Sequence, residues 1–89
     1  MKSRTTRLFR QRYRRLPAEV RRQARRAYRL WRSDPAHPSL QFKRVAEHEP
    51  VYSVRIGLRW RALAMVEDDT ATWWWIGSHA EYDALLKQW

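Results

Sequence analysis

The stretch Val51-Tyr-Ser-Val-Arg-Ile-Gly-Leu-Arg-Trp-Arg-Ala-Leu-Ala-Met-Val66 decides the fold, because its register fixes which residues share a sheet face. Side chains alternate along a strand, so Tyr52, Val54 and Ile56 take one face and Ser53 and Arg55 the other. In the second half, Trp60, Ala62, Ala64 and Val66 oppose Arg61, Leu63 and Met65. A three-residue loop Gly57-Leu58-Arg59 pairs Ile56 with Trp60, Arg55 with Arg61 and Val54 with Ala62. That register collects the apolar and small residues on one face. A two-residue loop would set Arg61 beside Val54 on the core side, a costly burial of charge. The three-residue loop is therefore expected, with Arg55 and Arg61 directly opposite each other on the second face. Like charges so placed repel. Either an anion sits between them or both splay into water.

Outward from this hairpin, the helices lie mostly before it. Thr5 or Thr6 can cap a first helix carrying Phe9, Tyr13 and Leu16 at helical spacing. Leu16-Pro17 breaks it, and Pro17 suits the first turn of a second helix over about Ala18 to Arg32. Val20, Ala24, Ala27, Tyr28 and Trp31 form the apolar stripe of that helix. Arg21, Arg22, Arg25, Arg26, Arg29 and Arg32 occupy most of its remaining surface. Ser33-Asp-Pro-Ala-His-Pro-Ser39 ends it. Leu40-Gln-Phe-Lys-Arg-Val45 alternates as a strand, and Ala46-Glu-His-Glu-Pro50 is a loop. Glu67-Asp-Asp-Thr70 turns into a last strand, Ala71-Thr-Trp-Trp-Trp-Ile-Gly77. In that strand, strict alternation sets Trp73 and Trp75 against Trp74; an outward indole can stack on a base or pack under the last helix. Ser78 with Glu81 is a capping box, and Tyr82, Leu85, Leu86 and Trp89 form the stripe of a short C-terminal helix. The expected architecture is α+β, with an N-terminal helical hairpin on a 3–4-stranded antiparallel sheet, a short C-terminal helix, and the helices on one sheet face.

With 89 residues the chain is expected to form one domain, 1–89. It has no cysteine, so disulfides and thiolate metal sites are excluded. No apolar run approaches the ~18 residues of a membrane span, and no secretory signal pattern opens the chain, so a cytoplasmic protein without membrane contact is expected. Charge is the dominant compositional feature. The net charge is +10, and sixteen of the nineteen bases are arginine. Residues 1–33 hold thirteen bases and one acid, whereas residues 34–89 hold six bases and eight acids. Such a field attracts polyanions, either nucleic acid or an acidic protein. Arginine dominance favours bidentate recognition of phosphate or carboxylate.

His79 falls in the first turn of the last helix, at the end of a strand. Helix-end potential and surplus arginine both disfavour imidazolium, so a neutral imidazole able to accept a proton is expected. No Gly-rich phosphate loop, nucleophilic serine elbow or paired carboxylates appear, and His37, His48 and His79 are too scattered for a zinc site. Arginines on an open sheet face, a histidine and nearby Tyr82 suit one reaction that calls for no cofactor. RNA brings its own nucleophile, the 2′-OH. A protein need only deprotonate it, hold the phosphate and protonate the leaving 5′-oxygen.

The layout and several motifs together resemble the RelE/ParE superfamily of bacterial toxins from type II toxin–antitoxin systems. The motifs are the helical segment from Arg14 to Pro35, Ser39–Val45 as the next strand, Tyr-x-x-Arg-x-Gly followed by aromatic-Arg from Tyr52 to Arg61, and Ile-Gly-Ser-His at 76–79. The last is similar to the Gly-Thr-His segment of the YafQ-like branch. The resemblance implies an mRNA endonuclease, acting in most branches on the ribosome and neutralised by a cognate acidic antitoxin. Arg61 then matches the arginine that stabilises the scissile phosphate, His79 the C-terminal catalytic residue, and Lys43 a basic residue on the preceding strand. Tyr82 lies near, not on, the position of a tyrosine that some members use. Leu40-Gln41 stands where others carry a glutamate base. Arg44, Arg55 and Arg59 join Lys43 as expected RNA or phosphate contacts. Arg21, Arg22, Arg25, Arg26 and Arg29 are the expected surface for ribosome or antitoxin. ParE-like members instead inhibit DNA gyrase on the same scaffold, so gyrase is the alternative partner. A basic module that binds RNA or ribosome without catalysis is the remaining reading.

Overall fold

The computed structural model describes residues 1–88. Its elements run β1 (Lys2–Thr5), α1 (Arg7–Arg14), α2 (Ala18–Ser33), β2 (Lys43–Arg44), β3 (Val51–Ile56), β4 (Trp60–Glu67), β5 (Thr70–Ser78) and α3 (His79–Leu86). The strands form one sheet in the order β1-β5-β4-β3-β2. The central register is the expected one: Ile56 pairs with Trp60, Arg55 with Arg61 and Val54 with Ala62. Gly57, at φ +60°, supplies the left-handed residue that the three-residue loop requires. Asp68 and Asp69, both at positive φ, make the tight turn between Glu67 and Thr70.

Each helix start has its physical cause. Thr6 Oγ1 accepts from the Phe9 amide at 3.1 Å and starts α1. Pro17 precedes α2, and Arg21 donates to the Leu16 carbonyl left over from the preceding turn. Ser78 and Glu81 form the complete capping box that starts α3.

Four expectations change. First, the sheet has five strands and is mixed, because β1 runs parallel to β5 with Lys2 opposite Thr70 and Thr5 opposite Trp73. Lys-Ser-Arg-Thr has no apolar residue to announce a strand; backbone pairing and the Lys2 amide to the Asp69 carbonyl at 2.8 Å hold it at the edge. Second, β2 is only Lys43–Arg44, since the chain takes a 3₁₀ turn at Pro38–Leu40 and Gln41 is left-handed at φ 45°. Third, Trp73 and Trp75 do not share a face. A bulge opposite Leu63/Ala64 pairs Ala64 with Trp73 and Leu63 with Trp75, leaving Trp74 as the extra residue. Fourth, the helices cover both faces of the sheet rather than one.

On the first face, α1 lies over β5 and α2 over β3. The core there holds Leu16, Val20, Ala24, Trp31, Leu40, Val54, Ile56, Ala62, Ala64, Trp73 and Ile76. Trp31 is its centre at 1% exposure, edge-on to Trp73 at 5.2 Å and to Phe42 at 5.8 Å. Tyr28, expected in the α2 stripe, is instead 44% exposed at the margin of this layer. On the second face a smaller core joins Ala46, Val51, Leu63, Trp75 and Tyr82, flanked by Leu85 and Leu86 of α3. The expected place of Trp89 in the α3 stripe lies outside the described residues. No helix among the described residues is long and apolar enough to cross a membrane.

Candidate phosphate-binding site

The second sheet face is only partly covered. α3 closes over Leu63 and Trp75, and beyond it β2, β3 and β4 leave a polar cleft of about 180 Å³. Gln41, Lys43, Ser53, Arg55, Arg61, His79 and Tyr82 line it. The β3–β4 register produces this set directly. Lys43 pairs with Ser53, Arg55 with Arg61, and Arg61 with Gly77, so all fall on the same side of the sheet. Arg61 donates from Nη1 to the Trp60 carbonyl at 2.8 Å, and Arg55 from Nε to the Gly57 carbonyl at 3.1 Å. Both guanidinium groups are thus tethered to the β3–β4 turn. Burial, and then the neighbouring Arg55, hold the Arg61 guanidinium below its ordinary pKa; Tyr82 and the Asp83 carboxylate act in the opposite sense.

His79 opens α3 where β5 ends and β4 begins. Its backbone amide donates to the Arg59 carbonyl at 2.6 Å, which fixes the helix start to the β3–β4 turn. Its ring Nδ1 lies 3.0 Å from Oδ2 of Asp83, one helical turn on. Tyr82 is 7% exposed, and its hydroxyl donates to Ser53 Oγ at 3.1 Å, so the phenol forms the cleft floor.

The helix start is pinned from behind by α1. Arg12 Nε donates to the Ile76 carbonyl at 2.7 Å, its guanidinium lies 5.0 Å over the Trp75 ring, and Nη2 reaches Glu81 at 3.3 Å. Gly77 is required there, because a Cβ would lie 2.7 Å from the Trp75 ring and 2.9 Å from Arg12 Nη2. The Ser78 amide hydrogen bond, followed by the Ser78 hydroxyl interaction and Arg12, holds the Glu81 carboxyl below the ordinary carboxylate value.

Of the residues expected at a site, the structure brings together His79, Arg61, Tyr82, Lys43 and Arg55. It does not bring in Arg44 or Arg59. Arg44 alternates away from Lys43 and donates to the Ala46 carbonyl at 3.0 Å, and Arg59 is an exposed turn residue. Gln41 and Ser53 line the cleft without having been expected. The contact of Asp83 with His79 is also outside the sequence expectation, although its signal is present: histidine and aspartate four apart on a helix face each other.

The arginines of α2 divide. Arg22 and Arg26 pair with Glu19, whose carboxyl is lowered by the Arg22 hydrogen bond first and its charge second. Arg25 donates to the Tyr13 hydroxyl at 2.8 Å. Arg25 and Arg29, with Arg10 and Arg14, edge a second depression of about 640 Å³ on the opposite sheet face, between α1 and α2. Its walls and floor include Phe9, Tyr13, Ala27, Tyr28, Ile56, Ala62 and Ile76.

Among solved structures, the RelB–RelE antitoxin–toxin complex from Methanococcus jannaschii is similar with a TM-score of 0.71 at 16% identity, over 90% of this chain and 95% of that chain. An archaeal RelE–RelB complex from Pyrococcus horikoshii OT3 gives 0.68 at 12% identity, over 86% and 92%. YafQ from E. coli strain BL21(DE3) gives 0.70 at 10% identity, over 91% and 96%. At these identities the likeness is one of fold. No curated protein matches the chain by sequence. The model of the ParE-like toxin domain, however, matches residues 18–84, from the start of α2 to within α3. The chain therefore belongs to the ParE-like toxin domain family, within the RelE/ParE superfamily.

Proposed function

We propose that the chain is the toxin of a type II toxin–antitoxin pair and acts as a ribosome-dependent mRNA endoribonuclease. The observation that carries this reading is the cleft in which Arg61, Arg55 and His79 converge. Two arginines held opposite each other repel unless an anion lies between them, and a bridging phosphate relieves that cost. His79 takes the proton from the RNA 2′-OH. The O2′–P bond forms as the P–O5′ bond breaks, leaving a 2′,3′-cyclic phosphate and a free 5′-hydroxyl. Arg61 and Arg55 stabilise the charge that develops on the phosphoryl oxygens. Tyr82 supplies the proton to O5′, and Lys43 holds the adjoining backbone. No step calls on a metal.

The partner is a cognate acidic antitoxin, whose seat is the groove between α1 and α2. That surface is apolar within and edged by Arg10, Arg14, Arg25 and Arg29. An amphipathic helix with an apolar stripe and acidic flanks matches both features. The more exposed α2 arginines meet ribosomal RNA.

Induced expression of wild type beside His79→Ala and Arg61→Ala, with mRNA from the same cells mapped for new 5′ ends, tests the reading. Arrest with discrete cuts in translated messages, lost in both variants, is expected. The ParE-like family match favours gyrase inhibition as the second reading. Arrest without cuts that persists in His79→Ala would establish it, and intact RNA bound in a steeply salt-dependent way would leave only a binding module.

A further inference from the structure

The pair formed by His79 and Asp83 extends the reading of the cleft. Asp83 lies one turn after His79 on α3, with Oδ2 at 3.0 Å from Nδ1. Helical side chains lean toward the N-terminus, so the carboxylate of the later residue is carried back onto the ring of the earlier one. The histidine backbone is fixed independently, by its amide bond to the Arg59 carbonyl and by the capping box on either side. With the backbone fixed and Nδ1 engaged, Nε2 is the ring nitrogen left for the cleft that His79 lines with Arg55 and Arg61.

We infer that Asp83 is a positioning residue: it holds neutral His79 as the Nδ1–H tautomer and so presents the Nε2 lone pair to the cleft. A free neutral imidazole favours the opposite tautomer, with the proton on Nε2. In that form the nitrogen facing the substrate cannot accept a proton. A carboxylate accepts the Nδ1–H, reverses the preference, and stabilises the imidazolium formed when Nε2 takes the 2′-OH proton. The charge of Asp83 also reaches Arg61, opposing the effect of burial there, so one carboxylate acts on both His79 and Arg61. Asp83 touches no reacting atom. It acts through His79.

The inference rests on the endonuclease reading for its consequence, but its central claim is measured without RNA. Protein labelled with ¹⁵N at histidine is compared with Asp83→Ala and Asp83→Glu by imidazole nitrogen chemical shifts, at a pH where His79 is neutral. Wild type is expected to show the Nδ1–H form, Asp83→Ala the Nε2–H form, and Asp83→Glu partial return. The same tautomer ratio in wild type and Asp83→Ala overturns the inference. In single-turnover cleavage, Asp83→Ala should slow the chemical step about 10-fold without weakening RNA binding, with partial rescue in Asp83→Glu. Equal cleavage rates for wild type and Asp83→Ala also overturn the positioning role. If wild type holds the Nδ1–H form yet cuts no RNA, the endonuclease reading fails while the tautomer assignment stands. Asp83 is half exposed, so its replacement leaves the fold intact, a point checked by circular dichroism.

Discussion

The two faces of the sheet are built from the same strands yet do opposite things. On β3 and β4, Val54, Ile56 and Ala62 point under α1 and α2, while Ser53, Arg55 and Arg61 point the other way into the polar cleft. One face is apolar and shaped by aromatic packing around Trp31. The other is edged by cations and closed on one side by α3. Period-two alternation separates stability from chemistry within a single hairpin. A substitution under α1 and α2, or at an arginine of the cleft, should therefore damage one property and spare the other, which makes the division breakable by experiment.

The largest effect is expected on the apolar face. Trp31→Ala should cost about 3–5 kcal/mol in chemical denaturation, because it empties the middle of the aromatic core. A loss under about 1 kcal/mol would show that α2 is not anchored there. On the polar face, Arg61→Ala should lower RNA cleavage about 100-fold while shifting denaturation by under about 0.5 kcal/mol, since the proposed action of its guanidinium is on the phosphoryl charge and it forms no part of the core. A large stability loss would contradict the division. Ala27→Glu, on the groove wall, should weaken antitoxin binding about tenfold or more in calorimetry and leave cleavage unchanged, because the two depressions lie on opposite faces.

Two smaller effects sharpen the boundary between the faces. Tyr82→Phe removes the hydroxyl that donates to buried Ser53, and about 1 kcal/mol should be lost. It also tests the proton donor, since cleavage should fall further than stability does. The smallest effect belongs to Glu81. Its carboxyl is held low in the folded protein, so the folded state binds fewer protons than the unfolded chain around the ordinary carboxylate value. Its contribution is present above that value and disappears as pH falls through the lower folded one. Because Glu81 is largely exposed, the effect is small. Glu81→Gln should flatten that part of the pH–stability curve; an unchanged acid limb would separate the capping box from stability.

How far the sequence carried differed between the two faces. The hairpin register was legible because only one loop length kept Arg61 out of the core, and from it followed the facing arginines and the cleft. The start of α3 was legible because Ser78 and Glu81 form a local motif. What escaped had no local signal. β1 contains only polar and charged residues and exists because β5 offers it a backbone edge. The bulge at Trp74 shifts the alternation by one, and three consecutive tryptophans give no hint of where the count breaks. The placement of α3 on the second face depends on that shift, since it turns Trp75 toward Tyr82. Charge alone groups Arg44 and Arg59 with the phosphate contacts, whereas strand alternation and turn position keep both out of the cleft.

The pairing of β1 with β5 also bears on synthesis. A chain made from its first residues onward produces β1, α1 and α2 long before Thr70–Trp73, the segment that β1 must join. Through most of translation the arginine-rich helices have no finished sheet to carry them, and β1 has no partner. His79 appears later still, so Arg61 and His79 cannot meet until nearly all of the described chain has left the exit tunnel. On the endonuclease reading proposed above, the cleft is incomplete until synthesis is almost finished. The interval before its last strand docks is the window in which the proposed antitoxin would meet an unfinished site.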